Sequence, residues 1–208
     1  MTNDEVLDAW RNGRFRREDR RHLEEALRCV VELGWSVVPQ RPGTKGPCIP
    51  WKPYQSRRPK PAELFEWFGR KWPDAGISLV LGPVSDIVAI DCDGEEAYHT
   101  MLQRLGQVPH APKSLSGSGK PHRFHLLFQA PEKALATNAK YCPWHEQLEF
   151  RGAGGLLILP PSLHPSGNRY RWQPGQAPWE TPIPPLPELV VAALEAKAAQ
   201  RAAYEPTV

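Results

Sequence analysis

Between Arg20 and Leu33, apolar residues recur at spacings of three and four: Leu23, Ala26, Leu27, Val30 and Val31 share one side, and Gly34 follows as a stop. This pattern predicts an amphipathic helix. Trp35-Ser-Val-Val38 reads as a short strand ended by Pro39, and the proline- and glycine-rich stretch from Arg41 to Pro61 reads as a long irregular loop. Pro61 suits a first helical turn, and Leu64, Phe65, Trp67 and Phe68 predict a helix after it. Residues 77–82 and 86–94 read as strands, and residues 95–105 as a helix with Ala97, Met101, Leu102 and Leu105 on one face. Three more strands are expected at 122–129, 147–152 and 155–160, and a last helix after Pro187. Helices thus interleave with strands, which predicts an α/β fold.

The 208 residues suffice for one domain, or for two subdomains that each bury a core. The expected organisation is an N-terminal extension over 1–19, a main domain over 20–172, and a proline-rich linker with a C-terminal helix packed on the domain over 173–208. No window approaches 18 uncharged apolar residues, and the N-terminus is charged throughout. Neither a membrane span nor a signal peptide is therefore expected, and a cytoplasmic location is. Cys29, Cys48, Cys92 and Cys142 form no CxxC pair, and Cys142-Pro-Trp-His145 alone has ligand-like spacing, so no structural zinc is expected.

Charge is unevenly spread. Residues 33–73 hold eight Lys or Arg against two acids, residues 101–172 hold nine against three, and residues 74–100 between them hold six acids and no Lys or Arg. An acidic island flanked by basic segments suits a site that takes cations and then an anionic nucleotide or nucleic acid. Uneven solvated surface would look the same.

Within the island, Ile87-Val-Ala-Ile-Asp-Cys-Asp-Gly94 ends a strand in two acids two positions apart, so Asp91 and Asp93 project to one face. Carboxylates so placed can share divalent cations, or can be an ordinary acidic strand end before a helix. Ser116-Gly-Ser-Gly-Lys-Pro-His-Arg-Phe-His125 is a small-residue loop feeding a strand, where Ser116, Gly117, Lys120, His122, Arg123 and His125 offer donors or positive charge to phosphates. It is no P-loop, because Ser114 stands at the first glycine position and Pro121 replaces the Mg²⁺-binding Ser/Thr. Glu149 and Arg151 share one face of the strand Leu148-Glu-Phe-Arg151, as an ion pair or as a third carboxylate beside a phosphate ligand. Ser162, His164 and Arg169 follow in a rigid loop.

The order of these pieces is more specific than any one of them. From about Leu27 to Trp172 the chain resembles the bifunctional DNA primase/polymerase domain of the archaeo-eukaryotic primase superfamily. The resemblance rests on Gly34-Trp-Ser-Val-Val-Pro39, Pro42-Gly-Thr-Lys-Gly-Pro47 with Trp51, and Gly76-Ile-Ser-Leu-Val-Leu-Gly82. It continues through Ile90-Asp-Cys-Asp93, His125-Leu-Leu-Phe128, Leu148-Glu-Phe-Arg-Gly152, and Leu159-Pro-Pro-Ser162 with Gly167, Tyr170 and Trp172.

The resemblance implies an RRM-like core with a mixed or antiparallel sheet, its acids on one face and helices on the other, beside a small N-terminal α/β subdomain. It implies template-directed nucleotidyl transfer on single-stranded DNA with NTP or dNTP, in replication of a plasmid, phage or other mobile element. Asp91, Asp93 and Glu149, where many relatives have aspartate, would be catalytic and would hold two Mg²⁺ or Mn²⁺ ions. His125 matches the family's nucleotide histidine better than His122, which competes for the role. Lys120, Arg151, Ser116, Gly117, Ser162 and His164 complete the expected nucleotide-binding set. Lys45, Lys52, Arg57, Arg58 and Lys60, with Trp51 and Tyr54 for stacking, form the expected nucleic-acid track. No Walker-type motor is present, so unwinding would fall to a separate helicase or to a longer chain. Two rivals stand beside this reading: a catalytically silent nucleic-acid or nucleotide-binding module of the same fold, and a metal-dependent phosphoesterase or nuclease.

Overall fold

The computed structural model describes residues 1–15, 20–131 and 143–204. Two compact units share the chain. The first comprises Met1–Asp86, Ser116–Gly119 and Leu156–Arg171; the second comprises Ile87–Leu115, Lys120–Gly155 and Trp172–Val208. Both combine helices with an antiparallel sheet, so the α/β class expected from the alternating pattern is the one that forms. Among the described residues, no helix is long and apolar enough to cross a membrane.

In the first unit, α1 (Asn3–Arg11) starts from a capping box: the Glu5 N–H donates to Thr2 Oγ1 at 3.3 Å, and the Thr2 N–H donates to the Glu5 carboxylate at 2.8 Å. This helix lies inside the predicted extension. α2 (Arg20–Val31) fully buries Leu23, Ala26 and Leu27. The chain then turns through Gly34, whose φ of 69° falls in the left-handed region that glycine enters without a Cβ clash. β1 (Val37–Gln40) pairs antiparallel with β2 (Gly76–Val80), and β2 pairs antiparallel with β7 (Leu156–Leu159).

β1 begins later than predicted and runs through Pro39 instead of ending there. It is an edge strand, and the Pro39 carbonyl turns away from β2 to accept the Cys48 N–H at 2.8 Å. A residue's N–H and C=O point to the same side of a strand, so the donor that proline lacks is not one the β1–β2 ladder needs. The loop that follows is irregular apart from a 3₁₀ turn at Lys52–Gln55, as its composition requires. The single helix predicted from Pro61 divides into α3 (Pro61–Glu66) and a π-helical turn over Trp67–Lys71, closed by the Trp72 N–H donating to Trp67 O at 2.7 Å. The wider turn shifts the helical register, and Leu64, Trp67 and Phe68 all bury.

The second unit is built on a five-stranded sheet in the order β6-β3-β5-β4-β8, whose last strand starts at Arg171, the final residue of the first unit. The strands are β3 (Ile87–Asp93), β4 (Lys113–Leu115), β5 (Arg123–Gln129), β6 (Leu148–Arg151) and β8 (Arg171–Trp172). The short strands β4 and β8 were not foreseen. Strand alternation divides the residues cleanly between two faces. Val88, Ile90, Cys92, Phe124, Leu126, Phe128, Leu148 and Phe150 form one face, and they pack with Ala97 and Met101 of α4 (Glu95–Leu105) and Val190 and Leu194 of α5 (Glu188–Tyr204). Each such side chain fully removed from water contributes about 1.5–3 kcal/mol. That burial fixes the sheet's register, and a slip of one residue would exchange the two faces. Asp91, Asp93, Arg123, His125, Glu149 and Arg151 have the opposite parity.

Candidate active site

β3 is the central support of the site. In its register with β5, Asp91 stands opposite His125 and Asp93 opposite Arg123; in its register with β6, Asp91 stands opposite Glu149. Directly opposed residues on one face place their Cβ atoms roughly 4.5–5.5 Å apart. Three acids, a histidine and two arginines therefore meet on one sheet face because three strands pair in one register.

Asp91 is 8% exposed and lies between two cationic or potentially cationic groups. Arg151 Nη1 donates to its Oδ2 at 3.0 Å, and His125 Nε2 lies 3.5 Å from its Oδ1. Asp93 is more open and pairs with Arg123, whose Nη1 lies 3.3 Å from its Oδ1. The backbone around the pair is tied on both sides: the Asp93 N–H donates to Gln147 O at 3.0 Å, and the Gly94 N–H donates to His122 O at 3.1 Å. Gly94 has φ 148°, and a Cβ there would lie 3.3 Å from Gln147 Oε1. Between the two aspartates, Cys92 faces the core. Burial pushes its thiol up to about 11, so it stays protonated at neutral pH and adds no charge to the site.

The two candidate histidines differ in place. His125 lies beside Asp91. His122 has a left-handed backbone, φ 54°, and its ring stacks on Tyr98 of α4 with centroids 4.1 Å apart and planes 22° apart. Lys120, in the same unit, is exposed.

The remaining expected ligands belong to the first unit, where several are engaged in its own structure. Ser162 is fully buried; its hydroxyl accepts the Ile77 N–H at 2.7 Å and lies 3.3 Å from the Ile77 carbonyl, joining the segment after β7 to β2. Gly117 is buried against the loop at 164–169, where a Cβ would fall 2.5 Å from His164 Cβ. Ser116 Oγ accepts the Ser118 N–H at 3.2 Å, and His164 Nδ1 accepts the Ser166 N–H at 3.0 Å.

Arg57 donates from both guanidinium ends to Glu63 at 2.8 Å and lies 4.4 Å over the Tyr54 ring. Arg58 donates from Nε to Val84 O at 3.2 Å, with its guanidinium close over Gly34. Lys45, Lys52 and Lys60 are exposed and Trp51 is half-buried, but Tyr54 is buried edge-on to Trp67 with its hydroxyl donating to Glu63 at 2.8 Å, so it is no stacking surface for a base. The expected nucleic-acid track therefore contains exposed lysines alongside two arginines that hold the loop in place. Sequence reasoning left Tyr98 out and named Arg123 only as a general donor. The alternation along β5 was the available signal, since it puts Arg123 on the same face as His125.

Among the described residues, no three His, Cys, Asp or Glu side chains gather closely enough to form a ready metal cage. Cys142 lies outside those residues, and His145 Nε2 lies 3.4 Å from Glu96. Mg²⁺ rarely needs a complete protein cage: one or two carboxylates commonly hold it, with substrate phosphates and water completing its shell. Asp91 and Asp93, two hard-oxygen ligands on one face with Glu149 across the ladder, fit such an ion.

No curated protein matches the sequence. A family model described as bifunctional DNA primase/polymerase, N-terminal, matches residues 26–189, which include parts of both units and every residue of the site above. The chain belongs to the bifunctional DNA primase/polymerase N-terminal family.

Proposed function

We propose that the protein is a template-directed nucleotidyltransferase that synthesises DNA or RNA strands on single-stranded DNA, with its chemistry on the polar face of the β6-β3-β5 ladder. One observation carries the reading: Asp91, Asp93, Glu149, His125 and Arg151 come together on one face through the pairing of β3 with β5 and β6. Family membership supports nucleotidyl transfer of the primase/polymerase type.

Each residue has a physical role in this reading. Asp91 and Asp93, with Glu149, hold two divalent cations, Mg²⁺ or Mn²⁺. When bound, such ions make a 3′-hydroxyl a better nucleophile and offset charge on the phosphate oxygens during in-line displacement. Arg151 and His125 both lie beside Asp91 and contact the triphosphate of the incoming nucleotide, where positive charge and hydrogen-bond donors stabilise the departing pyrophosphate. The apolar face behind them keeps the strands, and hence these groups, in register. In the first unit, Lys45, Lys52 and Lys60 bind the template backbone, and Trp51 offers a stacking surface for a base.

The test is synthesis on single-stranded DNA, primed and unprimed, with labelled NTP or dNTP and Mg²⁺ or Mn²⁺, for the wild type and for Asp91→Asn/Asp93→Asn. Metal-dependent products that vanish in the double variant support the reading, and unprimed products add primase activity. DNA binding without synthesis would instead identify a silent binding module, and shortening of DNA without extension would identify a nuclease.

A further inference from the structure

The two carboxylates best placed to take cations are both covered by guanidiniums. Arg151 on β6 covers Asp91, and Arg123 on β5 covers Asp93, one from each flank of β3. The covers differ in openness: the Asp91 side chain is 12% exposed and the Asp93 side chain 45%, against 25% for Arg151 and 29% for Arg123. Both arginines are long side chains, about a quarter exposed, whose guanidiniums can leave a carboxylate by rotating about side-chain bonds without disturbing the strand.

The charge balance shows what such covers do. Three carboxylates against two guanidiniums leave the face with one net negative charge. Two divalent cations alone would make it strongly positive, and a triphosphate alone strongly negative, with either ligand opposed by like charge at short range. Cations and triphosphate together return the face close to its starting balance.

We propose that Arg123 and Arg151 are exchange partners: they neutralise Asp93 and Asp91 when no cation is bound and pass to the triphosphate when those carboxylates turn to cations. Cation and nucleotide then bind as a linked pair, each tightening the other by the same factor. This rests on the nucleotidyl-transfer reading and adds Arg123 to it as a residue with two successive partners.

The experiment uses the full chain and two binding measurements that need no turnover. Mn²⁺ binding without nucleotide is followed by loss of the free-ion electron paramagnetic resonance signal, and dNTP binding in Mn²⁺ is followed by calorimetry. In Arg123→Gln, Mn²⁺ binds roughly three- to tenfold tighter because its competitor for Asp93 is gone, while dNTP binds weaker. In Arg123→Lys, which keeps the charge, Mn²⁺ affinity stays within about twofold of wild type. Near-ultraviolet circular dichroism verifies that both variants are folded.

Mn²⁺ affinity that is unchanged or weaker in folded Arg123→Gln, with wild type binding both ligands, overturns the exchange and leaves the function standing. A wild type that binds neither Mn²⁺ nor dNTP overturns both.

Discussion

Glu63→Gln tests whether the basic loop is held by the clip at its end. Glu63 accepts two hydrogen bonds from Arg57 at 2.8 Å, one from the Tyr54 hydroxyl at 2.8 Å and one from the Lys60 N–H at 2.8 Å. Arg57 first, then the Lys60 N–H and Tyr54, pull its carboxyl down to about 2, against the opposing effect of burial. At about 1.4 kcal/mol per pH unit, the full shift from an ordinary glutamate would be worth roughly 3 kcal/mol, but the clip is partly exposed and solvent screens it. About 1–2 kcal/mol is the expected contribution at pH 7.

The sign follows from the depressed carboxyl: the contribution is complete above the unfolded value near 4.5 and is lost as pH falls from there toward 2. Urea unfolding followed by tryptophan fluorescence measures it. With a slope of about 2 kcal/mol per molar, the midpoint of Glu63→Gln falls by roughly 0.5–1 M at pH 7, and the gap to wild type narrows steadily below pH 4.5. A gap under a few tenths of a kcal/mol at pH 7, or one that stays constant down to pH 2.5, would refute the argument. The same variant should weaken single-stranded DNA binding, because Lys52 and Lys60 flank the clip.

Other predictions test the site and its supports. Asp91→Asn keeps a hydrogen-bond acceptor for Arg151 but loses the charge a cation needs, so synthesis should fall by at least about 10³-fold while the protein stays folded with a modest loss of stability, as read by primer extension and a melting curve. Gly117→Ala should cost about 1–3 kcal/mol in urea unfolding, because the added methyl meets His164 Cβ at 2.5 Å and Asn168 O at 2.9 Å. His22 is buried, with Nδ1 3.2 Å from Pro73 O and Nε2 3.3 Å from Arg169, and burial first, then Arg169, holds its pKa below 6.5. Because the fold favours neutral imidazole, stability should begin to fall as pH drops below about 6.5, and His22→Gln should remove that part of the acid sensitivity in the same unfolding assay.

The second unit's sheet was largely legible because its signal is local. Long strands with strict alternation, such as Ile87–Asp93 and Arg123–Gln129, state which residues face the core, and the acids fall on the other face by parity alone. Lys113–Leu115 is too short to show a period, and its strand exists because β5 offers it a ladder. α1 carried a readable signal that was passed over: Thr2 and Glu5 have the spacing of a capping box. Pro39 misled because the rule against proline in strands depends on which side of an edge the missing N–H faces, and a sequence does not name the edge.

The site was legible only where function and parity coincide. Asp91 and Asp93 could be placed on one face from their spacing, whereas Glu149 joins them only through the β3–β6 register, and a basic or hydroxyl side chain reads the same whether it serves a ligand or the fold. Ser162 bonds to Ile77, 85 residues away in sequence, and Arg57 closes on Glu63 across a loop-to-helix boundary. Neither partner is marked in the sequence, since any acid or backbone amide would do. His122 and His125 show the opposite case, because three residues along a turn and strand are enough to separate them by place. The residue beside Asp91 is the one whose parity matches Arg123, and the residue stacked on Tyr98 lies where the chain has not yet entered the strand. An exchange of roles between the two histidines would therefore require β5 to shift register against β3, which would also turn Phe124, Leu126 and Phe128 out of the core. The packing of three apolar residues thus decides which imidazole stands beside the carboxylates.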